Sequence, residues 1–182
     1  MSSTPSERPP VAVRRATPAD HAAIVALVES AYRGMASRAG WTTEADLIDG
    51  RRTDLAMVDA LAADPAGTLI VIDGDDGLLA TCHVLRRPTD AYVGMVAVAP
   101  GAQGSGIGGA LLGAAEEHVA VILGRDTVEL AVIAQRTELI AWYRRRGYLE
   151  TGERRPFPYG DERYGVPRRP DLAFVVLRKA LG

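Results

Sequence analysis

The chain has 182 residues, 47% of them apolar and 24% charged, with a formal net charge of −2 from 21 Lys and Arg against 23 Asp and Glu. That length fits one domain, the composition excludes disorder over most of the chain, and the slight acidity argues against a surface built to grip nucleic acid. A lone cysteine, Cys82, excludes an internal disulfide or a multi-cysteine metal site, and the apolar runs are far shorter than the ~20 residues that span a bilayer.

Residues 1–10 are rich in Ser and Pro and lack the apolar core of a secretory leader, so a flexible tail is predicted there, with one domain over 11–182. The expected setting is cytoplasmic, with no membrane, nucleic-acid or metal partner. Residues 11–15 alternate and predict a first strand. Thr17, Pro18 and Asp20 then read as N-cap, first helical position and first-turn acid of a helix whose buried stripe is Ile24, Leu27, Val28 and Ala31. Residues 33–50 read as irregular. Thr53 is the expected cap of a second helix facing inward with Leu55, Val58 and Leu61.

Three strands follow, at 68–72, 78–86 and 91–99, joined by short turn-rich links that imply antiparallel hairpins. The third is apolar on both faces and so is expected at the centre of the sheet. A glycine-rich loop over 100–109 leads into a helix with Leu112, Ala115, Val119 and Ile122 on one face, stopped at Gly124. A strand at 127–133 and a helix at 137–146 come next. Glu138 lies in that helix's first turn and Arg144, Arg145 and Arg146 in its last, which complements the helix dipole. Strands at 148–153 and 172–177 close the chain. The intervening 154–170 has no predicted structure of its own, and a connection that long is usually functional or mobile.

The loop Gln103-Gly104-Ser105-Gly106-Ile107-Gly108-Gly109 leaves backbone N–H groups bare of side chains at a helix N-terminus, a phosphate-binding device. A tight turn without a ligand is the plain alternative. No Gly-Lys-Ser/Thr is present, which excludes a P-loop. Gly104, Gly106 and Gly109 satisfy G-x-G-x-x-G, with Glu129 twenty residues beyond Gly109. The four residues Pro100 to Gln103 and the antiparallel strands upstream argue against a dinucleotide fold.

Val98-x-Pro100 followed by Gln103-x-x-Gly106-x-Gly108 resembles the acyl-CoA-binding motif of the GNAT acetyltransferase superfamily. Ala141-Trp142-Tyr143-Arg144-Arg145-Arg146-Gly147-Tyr148 resembles that family's helix ending in Leu-Tyr-x-x-x-Gly-Phe. The order of elements agrees over nearly the whole chain. The resemblance implies an α/β (α+β) fold: a mixed, mostly antiparallel sheet of six to seven strands flanked by about four helices. The strand at 91–99 would splay from the one at 127–133 to admit acyl-CoA. It also implies an acetyl-CoA-dependent N-acetyltransferase acting by direct attack on a primary amine. Val96, Ala97 and Val98 would hold the pantetheine arm, and residues 103–109 (Gln103, Gly104, Ser105, Gly106, Ile107, Gly108, Gly109) the pyrophosphate.

Tyr143 would be the general acid for the leaving thiolate, although it also fits a core helix face with Leu139 and Ile140. Two departures stand out. Arg136 replaces the family's Asn and is assigned to the cofactor, with a substrate carboxylate or plain surface charge as its other readings. Ala131 replaces a glutamate base, leaving Glu129, two residues earlier on the same strand face, as the candidate base through a water; a structural salt bridge is the competing role. Acceptor contacts are expected from 33–54 and from 154–170. Trp41 and Glu44, beside Asp46 and Asp49, suit a small cationic or zwitterionic amine; a helix pair braced by a buried Trp41 is the equal alternative. The arginines of 154–170 suit an acidic acceptor, the 3′-phosphate of CoA, or packing in a homodimer. A protein or peptide acceptor, and a non-catalytic acyl-CoA sensor, are the alternatives to a small-molecule enzyme.

Overall fold

The computed structural model describes residues 12–182, so the N-terminal tail lies outside the described residues. In chain order the elements are β1 (Val13–Arg15), α1 (His21–Tyr32), the one-turn α2 (Gly34–Ser37), the two-residue β2 (Ile48–Asp49) and α3 (Leu55–Ala63). Then come β3 (Gly67–Gly74), β4 (Gly77–Arg86), β5 (Ala91–Val98), α4 (Ile107–Glu117), β6 (Thr127–Ile133) and α5 (Thr137–Arg144). The chain ends with β7 (Leu149–Pro156), β8 (Val166–Pro167) and β9 (Ala173–Ala180).

Seven strands form one sheet in the order β1-β3-β4-β5-β6-β9-β7. Every neighbouring pair is antiparallel except β5 and β6, which are parallel. The sheet is mixed and mostly antiparallel, as expected, with β5 at its centre.

Side chains of β3 alternate between two apolar layers, as the pleat requires. Ile70 and Ile72 join Leu111, Leu112, Ala115, Ile140 and Tyr143 beneath α4 and α5. Leu69 and Val71 join Ile24, Val28, Ala31 and Val58 beneath α1 and α3. Burying each of the Leu, Ile and Val side chains among these contributes about 1.5–3 kcal/mol, which is what holds helices to both faces.

The feature that positions the site is a split in the centre of the sheet. β5 and β6 pair only at Ala91↔Val128 and Tyr92↔Glu129, then part. On the other side of β5, Thr81 pairs with Ala97 and His83 with Gly94, so Met95 and Val96 face the single residue Cys82. Met95 has φ 51°, a left-handed conformation unusual for a side chain of its size. An extra residue of this kind bends its strand, and here the bend accompanies the opening beside β6.

Several local expectations change. Thr17 and Asp20 do start the first helical segment: Asp20 Oδ2 accepts the Thr17 backbone N–H at 2.7 Å and its hydroxyl at 2.9 Å. The α3 cap is Asp54 rather than Thr53. Asp54 Oδ1 accepts the Met57 amide at 2.8 Å, while Thr53 is buried. Of the predicted α3 stripe, Val58 is fully buried and Leu55 exposed. After α4 the chain passes into a π-helical turn at His118–Ile122, whose wider winding carries Ile122 out of the stripe to 66% exposure.

Residues 154–170 are not structureless. β7 runs on to Pro156, a 3₁₀ turn covers Glu162–Tyr164, and β8 pairs with β2 through Ile48↔Pro167 and Asp49↔Val166. The two segments expected to flank the acceptor are thus hydrogen-bonded into one unit. Among the described residues no helix is long and apolar enough to cross a membrane.

Candidate active site

Two cavities meet at the split. The first, about 510 Å³, lies between the end of β5, the glycine loop and α5. Gly104 (φ 78°) and Gly106 (φ 91°) carry the chain through left-handed turns into α4. The first amides of α4 lack intrahelical acceptors and sit at the positive end of its dipole. Gly104, Gly106, Gly108 and Gly109 line this cavity with Val96, Val98 and Gln103. Arg145 and Arg146 line it too, and the Arg146 guanidinium lies 3.7 Å from the Trp142 ring centroid. These arginines read from the sequence only as a dipole complement. Bare amides, two guanidinium groups and apolar walls fit the pyrophosphate and arm of an acyl-CoA.

Not every residue of the motif faces the cavity. Ala97 packs into the α1/α3 layer, and Ile107, the first residue of α4, is buried in the opposite layer. The Ser105 hydroxyl donates to the Ala102 carbonyl at 2.6 Å, closing the loop on itself. Trp41 stands in the wall of this first cavity, its ring 6.4 Å from Trp142. It therefore does not share a pocket with Glu44, as its place in the sequence suggested.

The second cavity, about 470 Å³, occupies the opening itself. Met95 and Val96 of β5 face Ala131 and Val132 of β6 across it, and Phe157 and Tyr164 of the 154–170 segment border it. The two cavities share Tyr32, Val96, Leu139 and Tyr143. Tyr143 is 4% exposed, its ring edge-on to Trp142 at 4.9 Å and to Tyr148 at 5.6 Å. It serves the core and borders both cavities at once. Its hydroxyl has no hydrogen-bond partner among the described residues. Burial, with the nearby Tyr32, pushes its pKa well above the ordinary phenol value, so the proton stays on at neutral pH. The Tyr32 hydroxyl donates to the Val96 carbonyl. Tyr32 escaped notice in the sequence because it continues the apolar stripe of α1.

The carboxylates of the acceptor segment are all engaged. Glu44 accepts Arg33 Nη1 at 2.5 Å and Arg136 Nη1 at 2.9 Å, one guanidinium on each oxygen. Burial alone would raise its pKa, but Arg136, Arg52 and Arg33 outweigh that and hold it below the usual range. Arg136 Nη2 also donates to the Thr42 carbonyl at 2.6 Å. Arg136 thus lines the second cavity rather than the one beside the glycine loop. Asp46 pairs with Arg38 at 2.8 Å and Asp49 with Arg168 at 2.7 Å.

Glu129 lies at the closed end of the split, opposite Tyr92, and its side chain is 0% exposed. Arg87 at 2.9 Å, Arg155 at 2.8 Å and Arg178 at 2.7 Å surround it. Burial raises its pKa, but hydrogen bonds from Arg155, Arg87 and Arg178 win and lower it to about 2. A carboxylate so held suits a counter-ion far better than a base.

A central sheet split beside a bulged strand, with a glycine-rich loop opening a helix on one side of the gap, is the arrangement the resemblance to acyl-CoA-dependent transferases implies. Residues 22–148 match the model of the Acetyltransferase (GNAT) family, and the chain belongs to that family. It is 33% identical over 157 residues to a mycothiol acetyltransferase of Mycolicibacterium vanbaalenii, covering 81% of this chain and 50% of that protein. The chain therefore spans about half the length of the curated relative it matches.

Two solved structures share the fold. One is the ribosomal-protein-S18-alanine N-acetyltransferase of Escherichia coli (TM-score 0.69, 15% identity, 95% of each chain). The other comprises mutant forms of the spermidine/spermine N-acetyltransferase of Vibrio cholerae (TM-score 0.65, 15% identity, 94% of this chain and 95% of that one).

Proposed function

We propose that the chain is an acetyl-CoA-dependent N-acetyltransferase whose acceptor is a small-molecule primary amine, attacked while both substrates are bound. The observation that carries this reading is the junction of the two cavities at Tyr143, Tyr32, Val96 and Leu139. Acetyl-CoA would supply an activated acetyl thioester. The amides of 103–109, with Arg145 and Arg146, bind its phosphates, and the backbone of 96–98 aligns its arm. Tyr143 keeps a proton at the junction, where a departing thiolate of pKa ~8.5 would take it.

The amine must lose its own proton first. An ordinary amine of pKa ~10.4 is neutral in about one molecule in 2,500 at pH 7, a cost of ~4.6 kcal/mol. Neither Glu44 nor Glu129 has an oxygen to spare. The arginine-rich wall of the second cavity disfavours an ammonium by like-charge repulsion and lowers that cost. A small acceptor is favoured because the cavity has the volume of a small-ligand site, with the β2–β8 unit holding residues 154–170 beside it.

The test is thiol release from acetyl-CoA across a panel of small amines and peptides, with the acetylated product identified. Release that depends on a small amine supports the reading. Acetyl-CoA binding without amine-dependent release would make the chain a binding module, and preference for peptides would make it a protein acetyltransferase.

A further inference from the structure

We propose that the acceptor carries a carboxylate alongside its amine, received by Arg52 in front of the incompletely paired Arg33. This inference rests on the acetyltransferase reading and deepens it. The second cavity is lined by Arg33, Arg52, Arg87, Arg136 and Arg155, against a single carboxylate, Glu44. Three of these cations are committed. Arg87 and Arg155 hold Glu129, and Arg136 spends both Nη groups on Glu44 and the Thr42 carbonyl.

Arg33 and Arg52 are not so committed. Arg33 is 6% exposed and gives only Nη1 to Glu44, while its Nε and Nη2 are buried without a partner. Those two nitrogens form one edge of the guanidinium, the fork that matches a carboxylate. A buried guanidinium with unused donors is a costly arrangement that a nearby anion would relieve. Arg52 is half-buried, and among the described residues its side chain makes no hydrogen bond or ion pair. Its guanidinium lies over the Tyr32 ring, 5.9 Å from the centroid. Asp49 acts on Arg33 from outside the cavity and Glu29 accepts the Arg52 backbone N–H, but in the cavity wall itself Arg33, Arg52 and Arg136 face the single carboxylate of Glu44, so the wall keeps an excess of positive charge.

The position suits a compact acid. Tyr32 borders both cavities and touches the Val96 carbonyl at the junction. Arg52, Tyr32 and Tyr143 line the same cavity, with Arg52 over the Tyr32 ring, so a carboxylate held at Arg52 would leave its amine on the side of the junction. The same field that draws the carboxylate disfavours the ammonium, so an amino acid would be attracted and deprotonated together. A polyamine would be repelled as a whole.

The experiment uses the full chain and compares amino acids with their carboxamides, with spermidine as a cationic control. Two readouts are taken: kcat/KM for thiol release, and calorimetric binding to the CoA-saturated protein. Both are repeated in Arg52→Gln and Arg52→Lys, with Tm checked for each. The Arg52 side chain makes no hydrogen bond, and its charge acts on Glu44 and on the Tyr32 ring beneath it; Glu44 keeps Arg33 and Arg136 in either variant, so both are expected to fold. The expected result is at least a tenfold preference for acid over carboxamide, lost in Arg52→Gln and partly kept in Arg52→Lys.

Equal or better use of carboxamides or spermidine overturns the proposal. So does an Arg52→Gln variant that weakens acid and carboxamide alike, or no binding of any acid. Arg52-dependent acid binding without thiol release would sink the acetyltransferase reading alone. Thiol release without acid preference would sink this inference alone.

Discussion

Gln103 Oε1 accepts the backbone N–H of Trp41 at 2.8 Å, tying the glycine loop to a segment 62 residues away in sequence. Its Nε2 donates to the Thr42 hydroxyl at 2.8 Å and to the Val98 carbonyl at 3.0 Å. The motif glutamine thus works as a latch that sets Trp41 across from Trp142. Each neutral bond contributes about 0.5–1.5 kcal/mol, and these lie partly in solvent. Gln103→Ala is expected to lower stability by about 1–2 kcal/mol in urea unfolding. It should also weaken acetyl-CoA binding severalfold while leaving the amine KM unchanged. Gln103→Glu, which sets an oxygen against the Val98 carbonyl, should be at least as damaging. An unchanged acetyl-CoA Kd in both variants would remove the latch from the donor site.

The glycine loop separates backbone geometry from space. Gly106 has φ 91° with nothing within 4 Å of the point a Cβ would occupy, and Gly101 has open space without a positive φ. Alanine at 106 meets only the left-handed penalty, about 1 kcal/mol or more, and relieves it by distorting the loop. Gly106→Ala should therefore shrink the rise in Tm that acetyl-CoA produces, and Gly101→Ala should not. Equal shifts in the two variants would show that the cradle does not depend on its left-handed turn.

Tyr143→Phe keeps the ring that packs on Trp142 and Tyr148 and removes only the hydroxyl. If that hydroxyl protonates the leaving thiolate, kcat falls by roughly 10²–10⁴-fold while the acetyl-CoA Kd barely moves. Wild-type kcat, measured where chemistry is rate-limiting, would return Tyr143 to the core alone.

Glu129 predicts a specific acid sensitivity. Its pKa drops from an ordinary 4.5 to about 2 in the fold, so its contribution is present above about 4.5 and is lost as pH falls through about 2. The shift corresponds to an order of 3 kcal/mol. Glu129→Gln removes the carboxylate that three arginines share, but Asp90 and Glu153 remain beside them and all three are partly exposed, so it is expected to cost about 1.5–3 kcal/mol at pH 7. The gap between wild type and variant should narrow as pH falls from 5 towards 2, followed by urea unfolding at each pH. A gap that stays constant across that range would show that the network contributes no charge-dependent stability.

The strands, the helices and the glycine-rich turn into α4 were legible in the chain because each depends on neighbours in sequence. Alternation marks a strand, a 3.6-residue stripe marks a helix, and the donors at 103–109 are consecutive. The π turn that exposes Ile122 and the switch of cap from Thr53 to Asp54 were not, since packing and side-chain reach settle such choices. The charges were the least legible of all. Glu44 looked like a group free to bind an amine, and Glu129 like a salt-bridge partner or a base, yet the sequence named neither set of partners: Arg136 reaches Glu44 across 92 residues. Arg87 and Arg178 reach Glu129 across 42 and 49. A carboxylate's chemistry is set by what folds against it, so the tertiary structure alone decided that the second cavity is cationic. The unpaired guanidinium of Arg52, one of twenty-one basic residues in the sequence, gains its meaning only from that enclosure.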